Sequence, residues 1–247
     1  MPVVRVPDQR RRSSVPTDEL TILATGEIDL VGRVIDSSNA TYVVHVSLDG
    51  TQLAGVYKPE RGERPLWDFD PGLYKRERAA YVLSEHLGWG LVPPTVVRED
   101  APAGVGSVQR FVEGDHREHY FTLYDDRPEL HDTFRRMAVF DCIANNTDRK
   151  SGHVLLGDDG HVYGIDHGLC FAADFKLRTV IWDFAGEKIP AADLDTIEPL
   201  ADAVPDALAA LLSRAEVAAL KSRVQRLLTT RILPVDRTGR RIPWPLI

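Results

Sequence analysis

The chain has 247 residues, 43% of them hydrophobic and 27% charged, enough to bury a core in one unit of two lobes or in two small domains. Its net charge of −7 argues against general nucleic-acid binding. No long apolar run is present, so no membrane-spanning helix is expected.

The first residues carry Arg5, Arg10, Arg11 and Arg12 against Asp8. They have no apolar stretch of the kind a secretory signal needs. Residues 1–17 are expected to be a disordered basic tail. Strand character is expected from Ile22 onward. Thr41 to Leu48 has strand composition, Asp49-Gly50 reads as a tight hairpin turn, and Gln52 to Lys58 as the returning strand. Residues 61–72 read as a loop. Lys75 to Leu87 reads as a helix, with Ala80, Leu83 and Leu87 on one face and Gly88 past its end. Leu91 to Arg98 and Gly106 to Val112 read as strands, and Glu129 to Asn145 as a largely apolar, buried helix. His153–Leu156 and His161–Asp166 read as a second hairpin around Asp158-Asp159-Gly160. Pro205 to Leu228 reads as a helix rich in Ala and Leu. Cys142 and Cys170 lie far apart in apolar sequence, which suggests reduced core thiols and a cytoplasmic protein. The element order predicts an α+β protein with a β-rich N-lobe over 18–113 and a mainly helical C-lobe over 114–247 that carries one β-hairpin.

The chemistry concentrates at a few positions. Lys58 ends the returning strand of the first hairpin and can act as a point charge on phosphate oxygens. Glu77, on the next helix, can pair with it and fix it. Ser37, Ser38 and Asn39 form a small polar turn able to present N–H groups and hydroxyls to phosphate. Asp148 follows the buried helix and precedes a short strand, which suits a carboxylate that accepts a proton from, or orients, an attacking hydroxyl. His153 starts that strand and Asp166 ends its hairpin partner, so their side chains can meet and bind a divalent ion. Read singly, each has a plain structural use: an exposed strand end, a helix-surface charge, a loop cap or a turn residue. Read together, the Lys–Glu pair and the Asp…His…Asp set stand in the order that phosphoryl transfer requires. A zinc site from His153, His161 and His167 is disfavoured because strand alternation keeps the three apart.

These motifs resemble the phosphatidylinositol 3-/4-kinase superfamily, the type II phosphatidylinositol 4-kinases most closely and the bacterial HipA-like kinases more distantly. The likeness spans about residues 35–190. Gly55-Val-Tyr-Lys-Pro59 is similar to the family's Gly-Val-Phe-Lys-Pro, which implies that Lys58 is the ATP lysine. The run from Glu77 to Thr95 follows the family helix and its Val-Pro-x-Thr without a gap, which implies that Glu77 is the lysine's partner. Gln109 to Gly114 resembles the segment joining the two lobes, so the backbone near Gln109, Phe111 and Val112 would meet adenine. Asn146-Thr-Asp-Arg149 resembles the catalytic loop, and Ile165-Asp-His-Gly-Leu169 the metal-binding Ile-Asp-Asn-Gly-Leu. The resemblance implies a two-lobed protein-kinase-like fold and an ATP-dependent kinase using Mg²⁺ or Mn²⁺. The phosphate acceptor would be a hydroxyl on a phosphoinositide-type lipid, a protein or a small molecule. Peripheral membrane contact through the basic ends stays open. Three departures stand out: the asparagine expected five residues after Asp148 is His153, the cysteine-rich palmitoylation stretch is absent, and there is little room for a long substrate-recognition insert. The first leaves a catalytically weak nucleotide-binding regulator as the alternative, alongside a protein nucleotidyltransferase on the same scaffold.

Overall fold

The structure is a computed structural model that describes residues 18–34, 39–115 and 117–246. The basic tail of residues 1–17, and Ser37 and Ser38 of the candidate phosphate turn, lie outside the described residues. The protein is α+β, and its described residues fall into two units, one within Met1–Tyr74 and Pro94–Phe111, the other within Lys75–Pro93 and Val112–Ile247. Lys75–Pro93 thus groups with the C-terminal residues, whereas the sequence reading assigned it to the N-lobe.

The first unit is a short helix α1 (Glu19–Thr25) and a sheet of five antiparallel strands, β1 (Glu27–Arg33), β2 (Tyr42–Leu48), β3 (Thr51–Pro59), β4 (Thr95–Arg98) and β5 (Gly106–Arg110), in the order β1-β2-β3-β5-β4. The expected strand character at Ile22 is corrected here: Ile22 and Leu23 are the buried face of α1 and join Val44, Val46, Tyr57 and Val108 in one core cluster. Tertiary burial overrides the β-branched composition of this segment. Arg98 Nη1 donates to the carbonyls of Leu23 (3.0 Å) and Gly26 (2.9 Å), satisfying the helix end. β2 and β3 pair up to Leu48↔Thr51 across Asp49 (φ 49°) and Gly50 (φ 81°). Positive φ at both positions is the two-residue hairpin turn that follows sheet twist. β4 is shorter than the expected 91–98, because Pro93 and Pro94 have no N–H to give a ladder.

Helix α2 spans Leu73–His86, and the Glu63 carboxylate caps its start by accepting from Gly72 N (2.8 Å) and Tyr74 N (3.1 Å). The remaining elements are α3 (Tyr120–Asp126), α4 (His131–Ala144), the hairpin β6 (Val154–Leu156) and β7 (Val162–Gly164), α5 (Ala191–Ile197), α6 (Pro199–Asp202), α7 (Asp206–Ala209) and α8 (Arg214–Thr230). The last turns of α4, Met137 to Ala144, are buried all round. That is how a helix inside a core reads, and α8 packs against it. The single helix expected over 205–228 is two. Ser213 Oγ accepts from Glu216 N and the Glu216 carboxylate accepts from Ser213 N (2.8 Å), a capping box that starts α8 afresh. Cys142 and Cys170 are buried and unpaired, and burial pushes both thiols up. Among the described residues no helix is long and apolar enough to cross a membrane.

Candidate active site

Helix α4 stops at Asn145, which takes the left-handed conformation (φ 51°, ψ 51°) that asparagine tolerates best among residues with a Cβ. Its side chain holds the bend, with Nδ2 donating to the carbonyls of Ala172 (2.9 Å) and Asp174 (2.7 Å) and Oδ1 accepting from Lys176 N (2.9 Å). Asn146 is buried next to it. It donates to Asp141 Oδ1 (3.0 Å) and accepts from the backbone N–H of Asp148 (3.0 Å). Thr147 ties the loop to Leu169 O through both its N–H (3.0 Å) and its hydroxyl (2.9 Å). Asp148 is therefore presented by a loop whose flanking residues are all fixed. Its carboxylate lies 3.4 Å from Lys150 Nζ. Partial burial pushes its pKa up to about 6, Lys150 pulls against that rise, and the Asp166 charge adds to it.

The hairpin brings His153 and Asp166 together, as Ile165 N donates to His153 O (3.0 Å). His153 Nε2 lies 3.4 Å from Asp166 Oδ2. His153 Nδ1 lies 2.8 Å from Asp148 O and 3.4 Å from Lys150 N. The shorter contact decides the tautomer: a carbonyl only accepts, so Nδ1 carries the proton and Nε2 of the neutral ring is a lone pair. A lone pair aimed at a carboxylate oxygen calls for a proton or a cation between them. The donor set of one imidazole nitrogen and one carboxylate, with the far ring nitrogen anchored on a carbonyl, could hold a divalent ion. Among the described residues no group of three or more His, Cys, Asp or Glu could do so, so water and substrate oxygens would complete the shell. Asp166 also sits at φ 59°, an uncommon conformation for a non-glycine residue and a recurrent one at functional sites.

Two features of this centre were not read from the sequence. Arg149 is fully buried and paired with the equally buried Asp141 (2.9 Å). It also bonds the carbonyls of His153 (3.1 Å) and Ile165 (3.0 Å), and its Nη2 donates to His167 Nε2 (2.7 Å). The chain passes so close over this guanidinium at Gly164 that a Cβ there would lie 3.1 Å from Nη2. The signal available was Asp141, an acid inside an otherwise apolar helix. Glu77 has a role beside the one expected: buried, it accepts from His167 N (2.9 Å), holding the residue after Asp166. His161 Nε2 contacts Gly90 O (2.9 Å), so the three histidines serve separate purposes.

The remaining candidates lie in the first unit, apart from Val112, which is buried in the second. Lys58 is next to last in β3, opposite Ser107. Gln109 is buried in β5 and donates to Thr95 Oγ1 (2.8 Å). Phe111 N donates to Ala54 O (2.9 Å). Asn39 Oδ1 accepts from Arg64 N (2.9 Å), a turn-stabilising bond.

The family profile of phosphatidylinositol 3- and 4-kinase matches residues 73–217, more than half of the chain. The chain belongs to the phosphatidylinositol 3- and 4-kinase family. The matched stretch contains Glu77, Asp148, His153 and Asp166. Protein Rv2133c of Mycobacterium tuberculosis is 42% identical over 92% of this chain and 95% of that protein. Among solved structures, hydra Fam20 with sugar is similar at TM-score 0.53 and 13% identity, covering 88% of this chain and 90% of that one. The Helicobacter pylori proinflammatory kinase CtkA is similar at TM-score 0.46 and 12% identity, covering 85% and 94%. The Fam20 likeness supports a kinase-like fold, and membership of this kinase family supports phosphoryl transfer as the chemistry.

Proposed function

We propose that the protein moves the γ-phosphate of ATP to a hydroxyl acceptor, with Asp148 as the base that receives or orients the hydroxyl proton. The observation that carries this is the partly buried Asp148 carboxylate on a fixed loop that leads into the hairpin bearing the His153–Asp166 pair. Lys150, 3.4 Å from Asp148, adds positive charge where phosphoryl oxygens would pass. Lys58 would contact the nucleotide phosphates and the backbone from Gln109 to Val112 the adenine, as in the family motif. A divalent ion held by His153 and Asp166 would supply neutralisation of phosphate charge. The acceptor is a lipid headgroup, a protein or a soluble alcohol, and we read the protein as cytoplasmic.

ATP labelled at the α- or the γ-phosphate tests the reading. The γ-label is expected on an acceptor, or on water at a low rate, with Mg²⁺ or Mn²⁺ present. Transfer of the α-label would make the protein a nucleotidyltransferase, and binding with no turnover would make it a regulator.

His153 gives a second test. An amide oxygen is a hard ligand that suits Mg²⁺, whereas imidazole nitrogen favours Mn²⁺ and later first-row ions. Turnover is expected to be higher with Mn²⁺ than with Mg²⁺, and His153→Asn is expected to move the preference towards Mg²⁺. Metal titrations of both proteins decide, and the same ion preference in the two would remove His153 from the metal shell.

A further inference from the structure

The second unit contains a cavity of about 790 Å³ that none of Asp148, His153 and Asp166 lines. It lies between α8, the chain at 173–175 and the C-terminal stretch 232–241. Arg223, Arg226, Arg237 and Arg241 line it, and among the described residues no aspartate or glutamate does. Between them the wall is apolar, with Phe175, Leu227 and Val235. A cleft of this volume falls in the range of about 300–1,000 Å³ typical of small-molecule sites.

Arg223 is the most deeply buried of these arginines. It is 8% exposed. Its Nε donates to Ile143 O (2.8 Å) and its Nη1 to Ala172 O (3.2 Å), while Nη2 is buried with no hydrogen-bond partner among the described residues. Two carbonyls do not neutralise a guanidinium, and burial lowers its pKa to about 10. The acid that faces it, Glu216, is bonded to Arg76 Nη2 (2.5 Å) and Ser213 N (2.8 Å). A buried donor left unmatched is costly, and a charged acceptor satisfies it best. Arg241 lies over the Phe175 ring at 4.8 Å, so one wall offers a cation and an aromatic face together. Arg226 and Arg237 are exposed at its rim.

We propose that this cavity is a second ligand site, separate from the phosphoryl-transfer centre, for a small amphiphile that joins a phosphate or carboxylate head to an apolar body. The head meets Arg226 and Arg237 at the mouth, with the buried Arg223 guanidinium adding charge behind them. The body lies against Phe175, Leu227 and Val235. Calorimetry on the full chain tests this with three probes: decyl phosphate below its micelle concentration, inorganic phosphate and decanol. Decyl phosphate is expected to bind at least about tenfold more tightly than either of the others. Its affinity is expected to fall about tenfold in Arg226→Gln/Arg237→Gln, both exposed positions where the fold is not at stake. Saturating ATP is expected to leave the affinity unchanged. Equal binding of decanol and decyl phosphate, no loss in the double variant, or displacement by ATP would each overturn the proposal. So would binding seen only with vesicles containing phosphatidic acid, which would make the surface a membrane contact instead.

Discussion

Asp148→Asn is expected to lower the rate of phosphoryl transfer by about 100- to 10,000-fold, the range of a positioned general base, while ATP affinity stays within about threefold. The variant keeps the shape of the side chain and the backbone N–H that Asn146 holds, so the loop is preserved and only proton acceptance is lost. Single-turnover rates and nucleotide calorimetry separate the two quantities. Loss of ATP binding with an unchanged chemical step would mean that Asp148, not Asp166, serves the nucleotide. The same residue sets a pH dependence. With its pKa pushed up to about 6, the carboxylate is ionised at pH 8, half protonated near pH 6 and protonated at pH 5. Activity should fall with one proton's slope through that interval, and Asp148→Asn should lose the dependence along with the rate.

The stability effect runs the other way. The ordinary carboxylate value is 3.8 and the folded value is about 6, so the fold favours the protonated form. Its contribution to stability is fully present below 3.8 and is lost as pH rises through about 6, at most on the order of 3 kcal/mol. Asp148→Asn, which mimics the protonated form, should therefore raise Tm at pH 8 in chelator and make no difference at pH 4. A carboxylate kept where it destabilises the chain is what a site selected for chemistry leaves behind.

What could be read from the sequence divides along physical lines. Asp49-Gly50 and Asp158-Asp159-Gly160 announced both hairpins, because turn chemistry is local. The order of Asp148, His153 and Asp166 was legible for the same reason: they sit on one loop and one hairpin, where chain direction alone brings His153 to Asp166. Helix α1 was not legible. Glu19–Thr25 is short, has β-branched residues and lacks a side-chain N-cap bond, and only burial of Ile22 and Leu23 makes it a helix. The Ser213/Glu216 box that splits the last helical run was present in the letters Ser-Arg-Ala-Glu. It does not stand out, because the Ala- and Leu-rich flanks fit one continuous helix equally well. Arg223 is one charge among several along α8, and nothing in a helical repeat says which arginine will face carbonyls instead of water. Arg149 was equally hidden, since its partners at Asp141, Ile165 and His167 converge only after α4, the loop and the hairpin have packed.

That convergence makes Arg149 the position where substitution should damage the fold most. Its five N–H groups are all used: Nε on Asp141, Nη1 on the carbonyls of His153 and Ile165, Nη2 on Asp141 and His167. Asp141 in turn is fully buried and also accepts from Asn146, which positions Asp148. Arg149→Met removes the cation and leaves Asp141 as a buried charge with only neutral donors, a change that costs about 3–5 kcal/mol. Whole domains are stable by about 5–15 kcal/mol, so the variant should be largely unfolded near physiological temperature or show a much lower denaturation midpoint. Arg149→Lys keeps the charge but concentrates three donors on one nitrogen, which cannot span a carboxylate, two carbonyls and an imidazole. It should fold, lose on the order of 1–3 kcal/mol, and lose activity beyond what its stability explains, because the carbonyls of His153 and Ile165 are no longer tied to the Asp148 loop. Denaturant melts of Arg149→Met, Asp141→Asn and the double variant measure the coupling. The double variant should be less destabilised than the sum of the singles, since the second change removes the stranded charge. Additive effects, or a loss below about 1 kcal/mol in Arg149→Met, would show that the buried pair does not hold the loop.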